Sequence, residues 1–324
     1  MLKKIVQALT VSIALMIAVG SAQAQWKPKQ SVKIMIGFPA GGSGDFLCRV
    51  LGLALEPIFS QPVVVENITG ATGFIAAQQA ARANPDGHTV VFVTMSMLTV
   101  LPFLPGSALP IDIHKALTPL GILADIPVLM VTHQGAQFNT VPELIARAKT
   151  YPGKMSFASG GIGTIAHISG EYINLAMGTD IVHIAYRGGP PATLDLMAGR
   201  VDFQIGPMPD FLAGIAGKKL KPVALASSQP VERFPGLPFI KETIPGFEAQ
   251  NWFALMAPVG LSPEIRRGWN EALGKVLADP DVRKKLEDNG FIPMTGQTAE
   301  MSALIKDGLA RWPKVIQDAK IKLN

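Results

Sequence analysis

The chain has 324 residues, with 29 basic and 24 acidic side chains and a formal net charge of +5. At about 150 residues per domain, this length predicts two domains that can each bury a core. Hydrophobic residues make up 48% of the sequence and charged residues only 16%, the opposite of a disordered chain. The single cysteine excludes an internal disulfide framework and a cysteine-rich zinc site.

The N-terminus has the features of a secretory signal peptide. Lys3 and Lys4 precede an apolar run at 11–19, and an A-x-A sequence at 22–24 follows. We expect a signal peptide over residues 1–24, cleaved after about Ala24, rather than a membrane anchor, because the run is shorter than the ~20 residues that span a bilayer. Removing two lysines lowers the net charge from +5 to +3. That charge predicts no nucleic-acid partner, and export argues against a nucleotide cofactor.

The first half of the exported chain alternates short apolar runs with amphipathic stretches. The predicted elements are strands at 32–38, 62–65 and 89–93 and helices at 45–56 and about 73–82. This order predicts a mainly parallel sheet with helices on both faces. The segment 98–119 carries four prolines and no clear period, so we interpret it as a long connection.

A second α/β unit follows, and the C-terminal part is largely helical. Predicted strands lie at 120–123, 127–131, 154–158, 181–185, 201–205 and 223–226, and a further apolar run lies at 253–256. Predicted helices begin near Thr140, Thr164, Ser262 and Thr298, and Pro280 interrupts the third of these.

Both halves share one local plan, in which a strand leads through a glycine-rich loop into a helix. The loops are at 39–44 and 159–163. A helix N-terminus exposes unpaired N–H groups and a partial positive charge, and glycine lets a ligand approach the backbone. Two such loops facing one cleft could bind a small carboxylate at both ends.

Several residues beside these loops admit two interpretations. Asp45 is predicted mainly to have a structural role, as the N-cap of the first helix or as a support of the glycine loop, with ligand contact as the alternative. Asn67 is either a turn residue or an amide that binds the ligand. His167 either reaches the cleft or is hydrogen-bonded locally, and Cys48 is predicted to be a small buried residue. The five histidines lack metal-ligand spacing, so we expect no metal site.

Short motifs that occur in order along the chain resemble one family. The first is FPAGGSGD at 38–45, and the others lie at 62–67, 70–71, 85–87, 118–120, 159–167, 185–189, 199–202 and 257–260. Each motif is weak alone, but the ordered set resembles the Bug-type solute-binding receptors, the substrate-binding proteins of tripartite tricarboxylate transporters.

The resemblance implies an α/β fold, the type II-like two-lobed periplasmic binding protein, with the ligand cleft between the lobes. Each lobe is expected to be a mainly parallel sheet flanked by helices. We expect domain 1 to comprise 25–124 and 250–324 and domain 2 to comprise 125–249. The hinge is expected in the crossing segments, near 122–128 and 224–252.

The resemblance also implies a function, that of a monomeric periplasmic receptor that captures a small carboxylate by hinge closure. The receptor would deliver it to a two-subunit membrane permease, or serve a sensor, and would need no cofactor. The ligand-binding residues implied by the matching motifs, together with Asn67, are Phe38, Ala40, Gly41, Ser43, Asp45, Asn67, Ser159, Gly161, Thr164, His167, Tyr186, Gly188 and Asp202.

Some positions depart from the pattern of the family. Gly44 stands where threonine is usual, Ile68 and Thr69 where Arg-Pro is frequent, and Thr72 where glycine is frequent. Loss of a hydroxyl and a guanidinium near the cleft makes an aromatic carboxylate an alternative to an aliphatic di- or tricarboxylate.

An exported hydrolase is the alternative function. Ser159 would be the nucleophile and His167 the base, and Glu171 is the one local carboxylate that could orient the histidine. The variant Ser159→Ala would decide, because lost turnover would support the enzyme, whereas unchanged turnover or no turnover at all would remove it.

Overall fold

A computed structural model of the protein describes residues 26–227 and 229–318, and the predicted signal peptide lies outside them. The strands are β1 Val32–Ile36, β2 Val63–Asn67, β3 Thr89–Thr94, β4 Leu117–Asp125, β5 Val128–His133, β6 Ser156–Ser159, β7 Val182–Ala185, β8 Phe203–Pro207, β9 Leu220–Leu225, β10 Trp252–Pro258 and β11 Ile292–Pro293. The helices are α1 Ser43–Phe59, α2 Phe74–Ala81, α3 Met95–Thr99, α4 Ile113–Ala116, α5 Val141–Thr150, α6 Ile165–Met177, α7 Gly189–Met197, α8 Leu212–Ala216, α9 Ile240–Thr243, α10 Pro263–Ala278, α11 Pro280–Asp288 and α12 Thr298–Asp318. None of these helices is long and apolar enough to cross a bilayer.

The strands form two separate sheets, each flanked by helices. The six-stranded sheet has the order β11-β4-β10-β3-β1-β2, and the five-stranded sheet has the order β7-β6-β8-β5-β9. We call the part built on the first sheet lobe 1 and the part built on the second sheet lobe 2. The two-lobed α/β fold expected from the sequence is confirmed.

The sheets are mixed, which corrects the prediction of mainly parallel sheets. β1 is parallel to β2 and β3, and β6 is parallel to β7 and β8. In contrast, β10 is antiparallel to β3 and β4, β11 to β4, and β5 to β8 and β9. The physical reason is that β4, β5 and β10 adjoin the passages between lobes. They are therefore not in the strand–helix–strand units that make neighbours parallel.

The proline-rich segment 98–119 is more ordered than the predicted long connection. It contains the end of α3, a 3₁₀ turn at Leu101–Phe103, all of α4 and the beginning of β4. Pro119 lies within β4 at a shift of register opposite Leu255 and Met256. Proline lacks a backbone donor and is tolerated in a strand at such irregular positions.

The apolar faces of the elements meet in cores that continue from one lobe to the other. One cluster of buried residues includes Val91 of lobe 1 and Phe157 and Phe203 of lobe 2. In lobe 1, α1 buries Leu47 and Cys48 against its own sheet. The prediction that Cys48 is a small buried residue is confirmed, and burial raises the pKa of its thiol.

Candidate ligand-binding site

The glycine loop of lobe 1 is held by a carboxylate on the helix that follows it. The Gly41 N–H donates to Asp45 Oδ2 at 3.1 Å, and Gly41 has φ +82°, a conformation that favours glycine. Arg49 Nε donates to the same oxygen at 3.0 Å, and Asn67 Nδ2 donates to Asp45 Oδ1 at 2.9 Å. Asn67 Nδ2 also donates to the Phe38 carbonyl at 3.0 Å. Asp45 and Asn67 therefore connect the glycine loop with α1 and β2. The N-cap of α1 is Gly42 and Asp45 lies within the first turn, so the prediction that Asp45 caps the helix is wrong and its role is to hold the loop.

The network around Asp45 stabilises its charged form. Burial raises the pKa of this carboxyl, but hydrogen bonds from Arg49, the Gly41 N–H and Asn67 together lower it by more. The pKa of Asp45 is therefore below its ordinary value of 3.8. Asp45 is therefore ionised at neutral pH, and its charge is neutralised locally by Arg49.

The glycine loop of lobe 2 is held by neutral groups. The Gly163 N–H donates to His167 Nδ1 at 3.1 Å, and Gly163 has φ +79°. Thr164 Oγ1 donates to the Gly161 carbonyl at 2.7 Å and also accepts from the His167 N–H, which caps α6. Because His167 accepts through Nδ1, the proton of the neutral ring lies on Nε2.

Burial keeps two adjacent imidazoles uncharged. Burial, followed by the nearby His183, lowers the pKa of His167 to about 3, and burial lowers the pKa of His183 to about 4. The two ring centroids are 4.3 Å apart. With Glu171, each offers a ligand atom within 4.8 Å of the others. A tetrahedral zinc with bonds of about 2.0–2.1 Å holds its ligand atoms closer, at about 3.4 Å, so this cluster would have to contract to bind one ion.

Ser159 and His167 do not form the pair that the hydrolase alternative requires. Ser159 Oγ lies 2.6 Å from His183 Nε2 and donates to the Gly161 carbonyl at 3.1 Å. Its side chain is fully buried, as is almost all of His167. Both residues therefore support the loop from inside lobe 2, and their hydrogen bonds go to other partners rather than to each other.

A cavity lies between the two lobes where these loops meet. Its volume is about 80 Å³, whereas about 10–15 Å³ suffices for one water molecule. The first turns of α1, α6 and α7 reach it, and rings from lobe 1 supply much of its apolar wall. The lining residues are Phe38, Pro39, Gly42, Ser43, Gly44, Phe92, Thr94, Ser96, Gly160, Thr164, Ile165, Ala166, Gly189, Pro190, Gln204, Ile205, Gly206, Pro207, Asp210, Asn251 and Phe253.

The cavity offers backbone donors without a cationic side chain. Its lining contains no Lys, Arg or His, and its one charged residue is Asp210. Helix N-termini attract anions through free N–H groups and the helix dipole. The arrangement can therefore hold a carboxylate by backbone groups while the rings of Phe38, Phe92 and Phe253 contact an apolar body.

A second, wider groove of about 540 Å³ lies between the glycine loops of both lobes. Thr72 Oγ1 donates across it to the Ile162 carbonyl at 3.0 Å. A side chain at Gly188 would place its Cβ 2.5 Å from Pro39, so glycine is needed for the lobes to approach this closely. These contacts describe a closed arrangement of the lobes.

The structure places eleven of the thirteen residues predicted from the sequence in the inner cavity, the wide groove or the supporting network, and the other two elsewhere. Phe38, Ser43 and Thr164 line the inner cavity, while Phe38 also lines the wide groove with Gly161, Tyr186 and Gly188. The supporting network contains Gly41, Asp45, Asn67, Ser159 and His167. Ala40 is exposed and lines neither space, and Asp202 lies apart, accepting from the Ser156 N–H at 2.7 Å.

Several polar residues that line the inner cavity were not predicted from the sequence. Among them are Ser96, Gln204, Asp210 and Asn251. Gln204 carried a signal, since it is a polar residue inside an apolar strand. Asp210 and Asn251 carried none, because they follow strand ends or irregular segments where polar residues are ordinary.

Comparison with known proteins agrees with this architecture. Residues 47–321 match the model of the tripartite tricarboxylate transporter family receptor. Protein BugT of Bordetella pertussis is 32% identical over 298 residues, which cover 92% of this chain and 91% of BugT.

Two solved structures share the fold over nearly their whole length. R. palustris Rpa4515 with adipate has a TM-score of 0.87 and 27% identity, covering 91% of this chain and 99% of that one. The periplasmic binding protein BugD has a TM-score of 0.85 and 28% identity, with the same two coverages. The chain belongs to the tripartite tricarboxylate transporter family of receptors.

Proposed function

We propose that the protein is a periplasmic receptor that captures a small carboxylate between its lobes and delivers it to a membrane transporter. The observation that carries the proposal is the inner cavity. Helix N-termini from both lobes reach it, and its lining has no cationic side chain. Backbone N–H groups can bind an anion reversibly, as a receptor that must release its cargo requires.

The proposed mechanism is closure of the lobes around the ligand. The chain passes from lobe 1 to lobe 2 between Asp125 and Val128 and returns between Leu225 and Trp252. These passages support the proposed hinge at 122–128 and 224–252 and the proposed domains, 25–124 with 250–324 and 125–249. A ligand that touches both glycine loops favours the closed state because only that state provides both sets of contacts.

The proposed ligand class is a small carboxylate with an apolar portion. Rpa4515, whose solved structure carries adipate, shares the fold. Three aromatic rings, those of Phe38, Phe92 and Phe253, line the cavity of this chain. These rings support an aliphatic or aromatic carboxylate whose body is apolar.

The proposed location and partner follow from the N-terminus and the family. A signal peptide over 1–24 would export the receptor to the periplasm, cleaved after about Ala24. Its family is named for tripartite tricarboxylate transporters. A two-subunit permease of that type is therefore the proposed partner, with a sensor protein as the alternative. We propose a monomeric receptor without enzymatic activity.

The test is ligand binding by the exported chain, residues 25–324. Native mass spectrometry of the purified protein would be followed by thermal shifts with aliphatic di- and tricarboxylates, amino acids and aromatic carboxylates. A ligand at 100 times its Kd should stabilise the fold by about 2.7 kcal/mol. We expect a shift from at least one carboxylate and no chemical conversion of it.

A matched pair of variants locates the binding. Ala166→Phe places a ring in the inner cavity, whereas Ala303→Phe adds the same ring to the exposed side of α12. We expect only the first to abolish the shift. Absence of a shift from every carboxylate, or turnover of one, would contradict the proposed function.

A further inference from the structure

The N-terminus of α1 in lobe 1 already holds a carboxylate that lobe 2 supplies. Asp210 follows β8 in lobe 2, and its Oδ1 accepts from the Ser43 N–H at 2.8 Å. Ser43 is the first residue of α1, and its N-cap residue Gly42 has no side chain to accept this bond. Asp210 therefore occupies the position where a helix N-terminus would bind the carboxylate of a ligand.

Space for this carboxylate comes from a glycine on the neighbouring helix. A Cβ at Gly189, the first residue of α7, would lie 2.6 Å from Asp210 Oδ2. Asp210 separates the inner cavity from an outer groove on its far side, and it lines both. Neither lining contains another acidic or basic side chain, so no cation neutralises Asp210 at either surface.

Other buried polar side chains beside Asp210 indicate that the cavity binds a polar ligand. Gln204 is 1% exposed, and Ser96 and Asn251 are each 3% exposed. Gln204 Oε1 accepts from the Thr193 hydroxyl at 3.3 Å. The N–H groups of Gln204 Nε2 can therefore donate to a ligand. Ser96 and Asn251 line the same cavity as Gln204 and Asp210. A few polar side chains in a mostly apolar pocket fix the orientation of a ligand through hydrogen bonds.

The charge of Asp210 limits what can bind. A dicarboxylate that spans the lobes would bring one carboxylate to the first turn of α6 and the other to α1, beside Asp210. Two carboxylates at hydrogen-bond distance repel each other, and an unneutralised pair disfavours the complex. A ligand with a carboxylate at one end and an ammonium group at the other meets no such repulsion, because its ammonium can donate to Asp210.

We propose that Asp210 is a specificity-determining residue that selects small acids with one carboxylate and a cationic donor at the opposite end, and rejects dicarboxylates. The inference rests on the proposed function as a carboxylate receptor. Burial raises the pKa of Asp210 to about 6. This raised pKa means that burial disfavours the charged carboxylate. A cationic ligand group would offset that unfavourable effect, because it stabilises the charged form.

The test compares ligands of equal length that differ only at one end. Isothermal titration calorimetry of residues 25–324 at pH 7.5 would use adipate against 6-aminohexanoate, and succinate against 4-aminobutanoate. We expect the amino acid of at least one pair to bind 10-fold or more tighter than its dicarboxylate. Asp210→Asn should reduce or invert that preference by 10-fold or more.

Controls separate the charge of Asp210 from folding and from total charge. Asp307→Asn removes the same charge from the exposed surface of α12 and should leave the preference unchanged. Asp210→Ser is a smaller second variant, and the melting temperature reports whether each variant folds.

Each contrary result has a distinct meaning. If the unmodified protein binds a dicarboxylate as tightly as its amino acid partner, or if both Asp210 variants keep the preference, the role of Asp210 is overturned and the carboxylate receptor stands. If no member of either pair binds, the selectivity is overturned. If the wider carboxylate panel also produces no thermal shift, the proposed function fails with it.

Discussion

Both glycine loops are held by a hydrogen bond from a glycine N–H to a side chain of the following helix, but the accepting group differs between the lobes. In lobe 1 the Gly41 N–H donates to Asp45, and in lobe 2 the Gly163 N–H donates to His167. Each acceptor is four residues after its glycine, near the beginning of the helix that follows. Each glycine has a positive φ, close to +80°. The geometry is therefore repeated, while the acceptor is a carboxylate in one lobe and a neutral imidazole in the other.

The difference shows which of the two helix N-termini has its hydrogen-bond acceptor within its own lobe. In lobe 2, α6 begins with its own cap, Thr164, and the side chains that hold the glycine loop, Thr164 and His167, belong to the same lobe. In lobe 1, α1 begins at Gly42 without a side-chain cap, and Asp210 of lobe 2 supplies the acceptor. The lobe 2 loop is therefore preformed, whereas the N-terminus of α1 gains this acceptor only when the lobes meet.

Removal of the carboxylate acceptor should have the largest effect. Asp45→Ala leaves the Gly41 N–H and one of the two N–H groups of the Asn67 amide without an acceptor. We expect a loss of about 3 kcal/mol in the free energy of unfolding, tempered because Arg49 is half-exposed. Asp45→Asn keeps one acceptor and should lose less. Urea denaturation measures both, and a loss below about 0.5 kcal/mol for Asp45→Ala would show that the network does not hold the loop.

Lowering the pH should affect the stability of the two loops over different pH ranges. The pKa of His167 is about 3 when folded and 6.5 ordinarily, so between these values only the unfolded chain binds the proton. Stability therefore decreases as pH falls below 6.5, by up to ~1.4 kcal/mol per pH unit. The lowered pKa of Asp45 acts only below pH 3.8, and the raised pKa of Asp210 favours the folded state as pH falls from about 6.

His167→Gln isolates this contribution, because glutamine can accept from Gly163 but does not titrate near neutrality. Between pH 6.5 and pH 5 we expect the variant to lose about 2 kcal/mol less than the unmodified protein. Asp210, with its opposing effect, and His183, whose lowered pKa of about 4 acts in the same direction as that of His167, are present in both proteins, so their contributions cancel. Equal slopes of unfolding free energy against pH would contradict the neutral, buried state of His167.

Removing the cap of the preformed loop should have a smaller effect. Thr164→Ala deletes the hydroxyl that donates to the Gly161 carbonyl and caps α6. A lost cap costs about 1 kcal/mol, and Thr164→Ser should restore most of it. Thermal denaturation measures the difference, and equal stability of the alanine and serine variants would show that the hydroxyl is not the stabilising group.

Adding a cap to α1 should have the smallest effect. At Gly42, with φ −83° and ψ 168°, a Cβ would lie 3.5 Å from Pro190, an ordinary contact. Gly42→Ser should therefore stabilise the fold by a few tenths of a kcal/mol. It should also reduce the loss of stability caused by Asp210→Asn, because the new hydroxyl replaces part of the missing acceptor. If Gly42→Ser and Asp210→Asn change the free energy of unfolding by strictly additive amounts in the double variant, the serine hydroxyl does not replace the missing acceptor.

Features encoded over a few residues could be predicted from the sequence. The capped helices at Thr140, Thr164 and Ser262 form where the side chains indicated them, because a cap reaches only two or three residues along the chain. The loop geometry around Gly41 and Gly163 is local in the same sense. The direction of β5 and β10 was not predictable, since it depends on where the chain passes between the lobes.

The sequence by itself determined two α/β units, two glycine loops that each lead into a helix, and the ordered motifs of the family. Only the tertiary structure decided the partners inside the cleft. Ser159 contacts His183 rather than His167, and Asp210 reaches an N–H group 167 residues away. The physical reason is the distance along the chain over which each interaction acts. Backbone propensities and caps act over one helical turn, whereas the partner of a buried polar group is whichever side chain the packing of distant strands brings within 3 Å.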